Sequence, residues 1–357
     1  MAFSLFKKKK EQKDDRYQTL TIKEVVPIAK EAVNLVFEKP DSFYYEPGQF
    51  ITIIQKVNGK KIRRAYSLCT TPLEDEFPAV TVKRVPGGAM SNHLNDHAAA
   101  GQSVEIMEPM GMFTTKYDEK KRRQAVFFGG GSGITPLMAI IRSILLVETE
   151  SVVTLVYGNR NSDYIIFNEL IKKLVAKYEG RFKAIHILEE GEADFNGRPD
   201  KEMVQKICTD VSANEETEFY ICGPQPMMDV TMEGLLNGGY PEENIRIESF
   251  EAGKTSPTEV IDKAPDDACD VTLLLNGEEH NFSVPKNLPI LEAALDKEID
   301  MPYSCQSGLC TACRGKCLEG EVSIDEADGL SQEEKDEGYV LTCVGKPLTD
   351  YVKVEMG

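Results

Sequence analysis

No stretch of the 357-residue chain approaches the roughly 20 consecutive apolar residues that a membrane-spanning helix requires, so an integral membrane segment is not expected. Positive charge is in short supply: 41 Lys and Arg face 59 Asp and Glu, a formal net charge of −18. Such a surface repels a phosphate backbone, which excludes nucleic acid as the main partner. An export signal is missing too. The opening MAFSLFKKKKEQKDD puts its lysines, residues 7–10, after a very short apolar stretch, the reverse of a signal peptide's order. Residues 1–16 read as a basic flexible tail, and the expected location is the cytoplasm. Nine cysteines without an export signal do not suggest a disulfide framework. No internal repeat divides the chain.

What is present falls into blocks, and the length suffices for two or three domains with their own cores. Residues 17–118 carry six short β-rich segments, LTIKEVVPI, AVNLVFEK, QFITIIQK, AYSLCT, AVTVKRV and SVEIME, separated by Pro, Gly and Asp. That rhythm predicts a small antiparallel barrel. Over residues 119–250, strand-like segments at 125–128, 152–157, 182–188, 219–222 and 245–250 alternate with the helical patterns PLMAIIRSILL, IIFNELIKKLVAKY, DKEMVQKIC and PMMDVTMEGLL. Alternation of this kind predicts a parallel, doubly wound α/β sheet.

Residues 251–267, EAGKTSPTEVIDKAPDD, have neither period and read as a linker. In residues 268–357, VTLLLN and HNFSVP flank Asn276-Gly277, a strong hairpin signal. A helix at ILEAALDK, a cysteine loop, a short acidic helix near SQEEKDE and strands YVLTC and YVKVEM follow. This last block holds 18 Asp and Glu against 7 Lys and Arg, a net −11, so a protein docking on it should present a basic face.

The cysteine loop, CQSGLCTACRGKC, is the most specific signal. Cys305, Cys310, Cys313 and the distant Cys343 give C-x4-C-x2-C…C, the plant-type spacing for a 2Fe-2S cluster. Small residues between them, Ser307, Gly308, Thr311 and Ala312, let backbone N–H groups approach the sulfurs. A four-thiolate zinc site is the alternative, although zinc sites more often use two compact C-x2-C pairs. Cys317, just beyond the loop, reads as a small core residue on the next strand.

A cluster takes one electron whereas nicotinamide gives two as a hydride, and a flavin can divide the pair. In the barrel block, Arg64-Ala65-Tyr66-Ser67 offers a guanidinium for a pyrophosphate, a ring to lie by a flavin and a hydroxyl to reach it, though the same run also suits an ordinary strand. The turn Pro86-Gly87-Gly88-Ala89-Met90-Ser91 leads into a helix start that suits phosphate. The second block opens with AVFFGGGSGITP, a strand, glycines and a helix in the order that brings nucleotide phosphates to a helix N-terminus, without the usual G-x-G-x-x-G.

RAYS, GSGITP, ICGPQPMM and the strand ending Glu248-Ser249-Phe250 resemble the motifs of the ferredoxin-NADP reductase superfamily, and CQSGLCTAC with LTCVGKP resembles plant-type ferredoxins, which fold as a β-grasp. Taken in this order, with YGNRNSDYIIF and YVLTCVGKPLT, the chain is similar to the phenylacetyl-CoA epoxidase reductase family and other reductases of multicomponent oxygenases. The resemblance implies that Arg64, Tyr66 and Ser67 bind FAD, and Ala65, Val82, Lys83, Gly88, Met90 and Ser91 are further cofactor-binding candidates. It implies that Gly131, Gly133, Thr135, Cys222 and Gly223 frame NADPH or NADH, with Pro136, Arg160, Pro224 and Phe250 as further cofactor-binding candidates, and that the four cysteines hold a 2Fe-2S cluster. Ser67, Thr135, Cys222, Glu248 and Phe250 would then serve hydride transfer, with Phe250 shielding the flavin ring; the alternative for Phe250 is core packing at a strand end. The chain continues past this aromatic residue, where simpler reductases stop.

Arg160 and Arg198 favour NADPH through pairing with a 2′-phosphate, while Glu189, Glu190 and Glu192 argue against it; the balance leans to NADPH. The implied function is an NAD(P)H oxidoreductase passing electrons through FAD and a 2Fe-2S cluster to an oxygenase, hydroxylase or desaturase with a basic docking face. A second class stays open, a redox-sensing regulatory or scaffold protein without turnover. The flavin and nicotinamide motifs favour the reductase, since a sensor needs no hydride donor.

Overall fold

The computed structural model describes residues 16–250 and 268–356. The lysines at 7–10 and the linker at 251–267 lie outside the described residues.

The first block forms six antiparallel strands: β1 (Tyr17–Ala29), β2 (Ala32–Phe37), β3 (Phe50–Val57), β4 (Lys60–Ser67), β5 (Ala79–Lys83) and β6 (Ser103–Met110), with α1 (Ala89–His97) before β6. Their order is β4-β3-β6-β1-β2-β5, and an antiparallel bridge from Leu68 to Val80 closes the two ends into a barrel. Leu20, Phe37, Ile51, Ile53, Val80 and Ile106 fill it, as the alternation of apolar and polar residues along each strand requires.

The second block has β7 (Gln124–Gly130), α2 (Ile134–Val147), β8 (Val152–Asn159), α3 (Asn168–Lys177), β9 (Phe182–Leu188), the two-residue β10 (Phe195–Asn196), α4 (Lys201–Asp210), β11 (Glu218–Cys222), α5 (Gln225–Asn237) and β12 (Ile245–Glu248). All its strand pairs are parallel, in the order β10-β9-β8-β7-β11-β12. Helices α2 and α3 pack on one face and α4 and α5 on the other. The strand expected at 245–250 stops at Glu248, and the helix expected from 165 begins at Asn168, because Phe167 takes a left-handed conformation (φ 64°) that no continuing helix permits.

Helix α2 is apolar on nearly every side, and residues 134–145 are all buried. The reason is that it is sandwiched: its outer face meets Ala32, Cys69, Ala79 and Phe113 of the barrel block in the core it shares with β7 and β8. Its one cation, Arg142, crosses to the barrel block, donating to Asp75 and Glu74 at 2.7 Å each.

The third block holds β13 (Ala268–Leu275), β14 (Glu278–Pro285), α6 (Ile290–Asp296), β15 (Arg314–Glu319), α7 (Gln332–Asp336), β16 (Tyr339–Leu341) and β17 (Tyr351–Met356). The mixed sheet runs β14-β13-β17-β15-β16, with β13 and β17 parallel. Asn276 and Gly277 both have positive φ (52° and 78°) and close the β13–β14 hairpin in two residues. The strand expected over YVLTC ends at Leu341, which leaves Cys343 in the turn that follows. Cys317 lies on β15, partly buried against this block's core.

Candidate active site

At the carboxyl ends of β7 and β11 the chain connections depart in opposite directions, which opens a crevice at the edge of the sheet. The turn Gly131–Gly133 leads from β7 into α2, whose first turn has no side-chain cap and leaves its N–H groups for an anion. Gly133 is needed for packing: a Cβ there would lie 2.0 Å from the carbonyl oxygen of Cys222. Thr135 is buried and donates to the Ser132 carbonyl at 2.9 Å, and Pro136 is buried beside it in the first turn of α2. The Tyr157 hydroxyl donates to Gly131 O at 2.7 Å and fixes the turn.

The resulting cleft, about 610 Å³, is lined among others by Lys83, Gly131, Asn159, Arg160, Arg198 and Pro224. Arg160 stacks 4.9 Å over the Tyr164 ring, and Arg198 pairs with Glu189, which also lines the cleft, at 3.3 Å. Burial, then the neighbouring Arg160, lowers the Lys83 ammonium from its ordinary value. Among the described residues neither side-chain polar atom of Asn159, 9% exposed, meets a hydrogen-bond partner of normal geometry. This amide, set against the Tyr157 hydroxyl and beside two cations, fits the polar part of a nucleotide.

A second cavity, about 290 Å³, lies where all three blocks meet. Its walls include Arg64, Ala65 and Ser67 from β4, Glu248 and Phe250 at the end of β12, and Cys305 with Gln306 from the cysteine loop. Phe250 is 45% exposed, which core packing would not leave. Burial, with Cys305 adding to it, pushes the Glu248 carboxyl up to about 8.

Other expected site residues are placed less directly. Tyr66 packs against the barrel core, and burial raises its hydroxyl. Val82 and Met90 have their side chains wholly in that core, so they can offer a ligand only backbone. The Ser91 hydroxyl accepts from the Val85 N–H at 3.1 Å and donates to Gly88 O at 3.4 Å, holding the turn; Gly88 precedes α1 with no side-chain cap, which leaves N–H groups for a phosphate. The Cys222 thiol is buried with α2 and burial raises it well above its ordinary value, so only its neighbours Gly223 and Pro224 border the crevice.

The four loop cysteines converge. Cys305 interacts with Cys310 and Cys343, and Cys313 with Cys343. The Ser307 N–H donates to Cys305 Sγ at 3.4 Å, the type of bond that stabilises a thiolate. Thr342 ties the two ligand segments together, its N–H and hydroxyl donating to Cys313 O at 3.2 and 3.0 Å. The donor set is four thiols, three on one loop at C-x4-C-x2-C spacing and the fourth on the turn after β16, and an all-thiolate set in that arrangement fits a 2Fe-2S cluster, each iron of which takes two thiolates. Asn159 and Gln306 lie inside the stretches YGNRNSDYIIF and CQSGLCTAC, yet neither residue type signals a site role there, and Ser304 falls just outside the cysteine loop; Gln306 carries a positive φ of 56° that composition does not announce.

Comparisons with known proteins agree with this layout. The family model for the oxidoreductase FAD-binding domain matches residues 19–115, that for the oxidoreductase NAD-binding domain 127–233, and that for the 2Fe-2S iron-sulfur cluster binding domain 273–348. The chain is 36% identical to the 3-ketosteroid-9-alpha-monooxygenase ferredoxin reductase component of Rhodococcus rhodochrous, over 94% of this chain and 96% of that one. It is 32% identical to a subunit of 1,2-phenylacetyl-CoA epoxidase from Escherichia coli (strain K12), over 95% and 97%. Phthalate dioxygenase reductase shares the fold, with a TM-score of 0.61 at 24% identity, over 96% of this chain and 98% of that one. The chain therefore belongs to the family of oxygenase ferredoxin reductase components, NAD(P)H oxidoreductases that carry FAD and a 2Fe-2S cluster.

Proposed function

We propose that the small cavity is the point at which electrons pass from the flavin to the cluster. The observation that carries this is its shared wall: Arg64, Ala65 and Ser67 of the flavin motif face the same 290 Å³ space as Cys305 of the cluster loop. Bound FAD supplies the chemistry that accepts a hydride from nicotinamide and releases its electrons singly, and the cluster carries them onward.

The chain's own groups then have distinct tasks. Lys83 and Arg160 hold the nucleotide phosphates in the large cleft, the Asn159 amide orients the polar part beside them, and the turn from Gly131 to Thr135 with Gly223 and Pro224 sets the nicotinamide's depth. Arg64 neutralises the FAD pyrophosphate, Tyr66 and Ser67 border its ring, and Val82, Gly88, Met90 and Ser91 contribute backbone around α1. Phe250 covers the ring from water until nicotinamide displaces it, and Glu248 holds a proton at the cavity edge. Cys305, Cys310, Cys313 and Cys343 ligate the cluster. The modules are 17–118, 119–250 and 268–357, joined by 251–267.

The acceptor is an oxygenase component with a basic docking face, met in the cytoplasm. Among the described residues no helix is long and apolar enough to cross a membrane. The acceptors named for the relatives, a 3-ketosteroid 9α-monooxygenase and 1,2-phenylacetyl-CoA epoxidase, are the first two to test. The test is an anaerobic titration of the purified protein with NADPH and with NADH, followed by visible spectra. Bleaching of a flavin band and then of a cluster band is the expected result. Cys310→Ser should lose the cluster band and keep fast flavin reduction; equal loss of both would refute the modular path.

A further inference from the structure

We infer that Arg63, the residue before the flavin motif, is the positioning residue that clamps the cluster loop onto the flavin module. This deepens the proposed electron path and rests on it.

The side chain is out of water, at 3% exposure, although it lies on the barrel's outer wall. On β4, Ile62 and Tyr66 turn toward the barrel core, while Arg63 pairs across β3 with Ile54, which belongs to the small apolar cluster formed with the third block. That cluster brings Phe50, Ile54 and Met107 of the barrel against Cys310 and Ala312, with Cys305 packed beside them. Arg63 Nη1 donates to Asp300 Oδ1 at 2.6 Å, and the guanidinium lies 5.3 Å from the centre of the Tyr303 ring. Lys61, one pleat away, reaches the other Asp300 oxygen at 3.4 Å. A hydroxyl contact between Thr52 and Ser304, also buried, completes the seam.

Asp300, Tyr303 and Ser304 lead directly into Cys305, so every polar contact of this seam grips the segment that carries the first cluster ligand. A buried guanidinium strongly favours a partner, because leaving it unpaired is costly. The single Nη1 bond to Asp300 and the Tyr303 ring beside the guanidinium fix direction as well as distance. With FAD and the cluster bound, the two electrons of each hydride would cross this contact one at a time, the second only after the oxygenase acceptor has taken the first from the cluster, and the hydride's proton would pass to solvent. The transfer rate falls steeply with separation, so a loosened loop slows this step and leaves hydride transfer alone.

The test compares the holoprotein with Arg63→Ala, Arg63→Lys and Asp300→Asn. Two readouts are taken: stopped-flow single turnover with NADH or NADPH, and hydrogen exchange of residues 299–306. In Arg63→Ala the flavin-bleaching phase should keep its rate, while cluster reduction slows at least about tenfold and exchange at 299–306 rises. Arg63→Lys should recover part of the rate, which a merely structural lesion would not do. Unchanged cluster reduction in a fully loaded Arg63→Ala overturns the assignment. Should that variant fail to fold, Asp300→Asn decides, since its side chain is 56% exposed and it must slow the same step. If the unaltered protein shows no flavin reduction, the functional reading fails separately, and hydrogen exchange alone judges the clamp: a rise supports it and no change refutes it.

Discussion

Glu189 illustrates how one side chain sets a preference that a motif cannot. Its carboxylate lines the nucleotide cleft and engages Arg198, one of the two arginines that favour a 2′-phosphate. Glu189→Ala should therefore release Arg198 and remove a like charge, shifting the NADPH-to-NADH ratio of kcat/KM toward NADPH by roughly tenfold, measured by steady-state kinetics with each coenzyme. A second residue, Glu218, belongs to stability. Burial alone would raise its carboxyl, but Lys121, the Tyr220 hydroxyl and Arg123 outweigh it and hold it down to about 2, against an ordinary 4.5. A depressed carboxylate stabilises the fold above its ordinary value and loses that contribution as pH falls toward the folded one. Glu218→Gln should thus melt lower than the unaltered protein at pH 7, and the gap should narrow as pH falls from 4.5 toward 2. Neither role is legible from the residues alone: along the chain Glu189 is one of three glutamates with Glu190 and Glu192, and only the fold separates it by pairing it with Arg198.

At the scale of elements, period and turn chemistry account for most of what can be read in advance. All six barrel strands coincide with segments visible in the sequence, but β4 begins at Lys60, ahead of the expected AYSLCT. Its first residues, KKIRR, resemble a polar loop because only Ile62 among them turns to the barrel core, the others facing water or the third block; the Asn58-Gly59 turn, with φ of 52° and 82°, is the signal that marks the hairpin. The cluster loop depends on a similar local device. Gly308 has φ of 74°, and a Cβ there would lie 1.9 Å from the Glu326 carbonyl oxygen. Gly308→Ala should force the loop open and cut 2Fe-2S content severalfold, measured by iron and sulfide analysis, while FAD content stays unchanged.

Across the whole molecule, charge and contact divide the electron path into an internal and an external step. The third block is strongly acidic, so the encounter with the proposed basic acceptor should weaken as ionic strength rises, whereas the proposed internal step would run through the seam that buried Arg63 anchors. Raising salt from about 50 to about 500 mM should slow acceptor reduction about tenfold or more and change flavin-to-cluster transfer far less, measured by stopped flow with and without the acceptor. The three blocks, their order, the cysteine spacing and the flavin and nicotinamide motifs were all present in the chain before any folding was considered. Those features rest on spacing, period and turn residues, which are local. Folding was needed to bring Cys305 into one cavity with Ser67, to bury Cys222 away from the cleft, and to give Asn159 and Arg63 surroundings that suit work beyond packing. Each of these depends on contacts between residues distant in the chain, and a contact of that kind leaves no periodic trace in a single sequence.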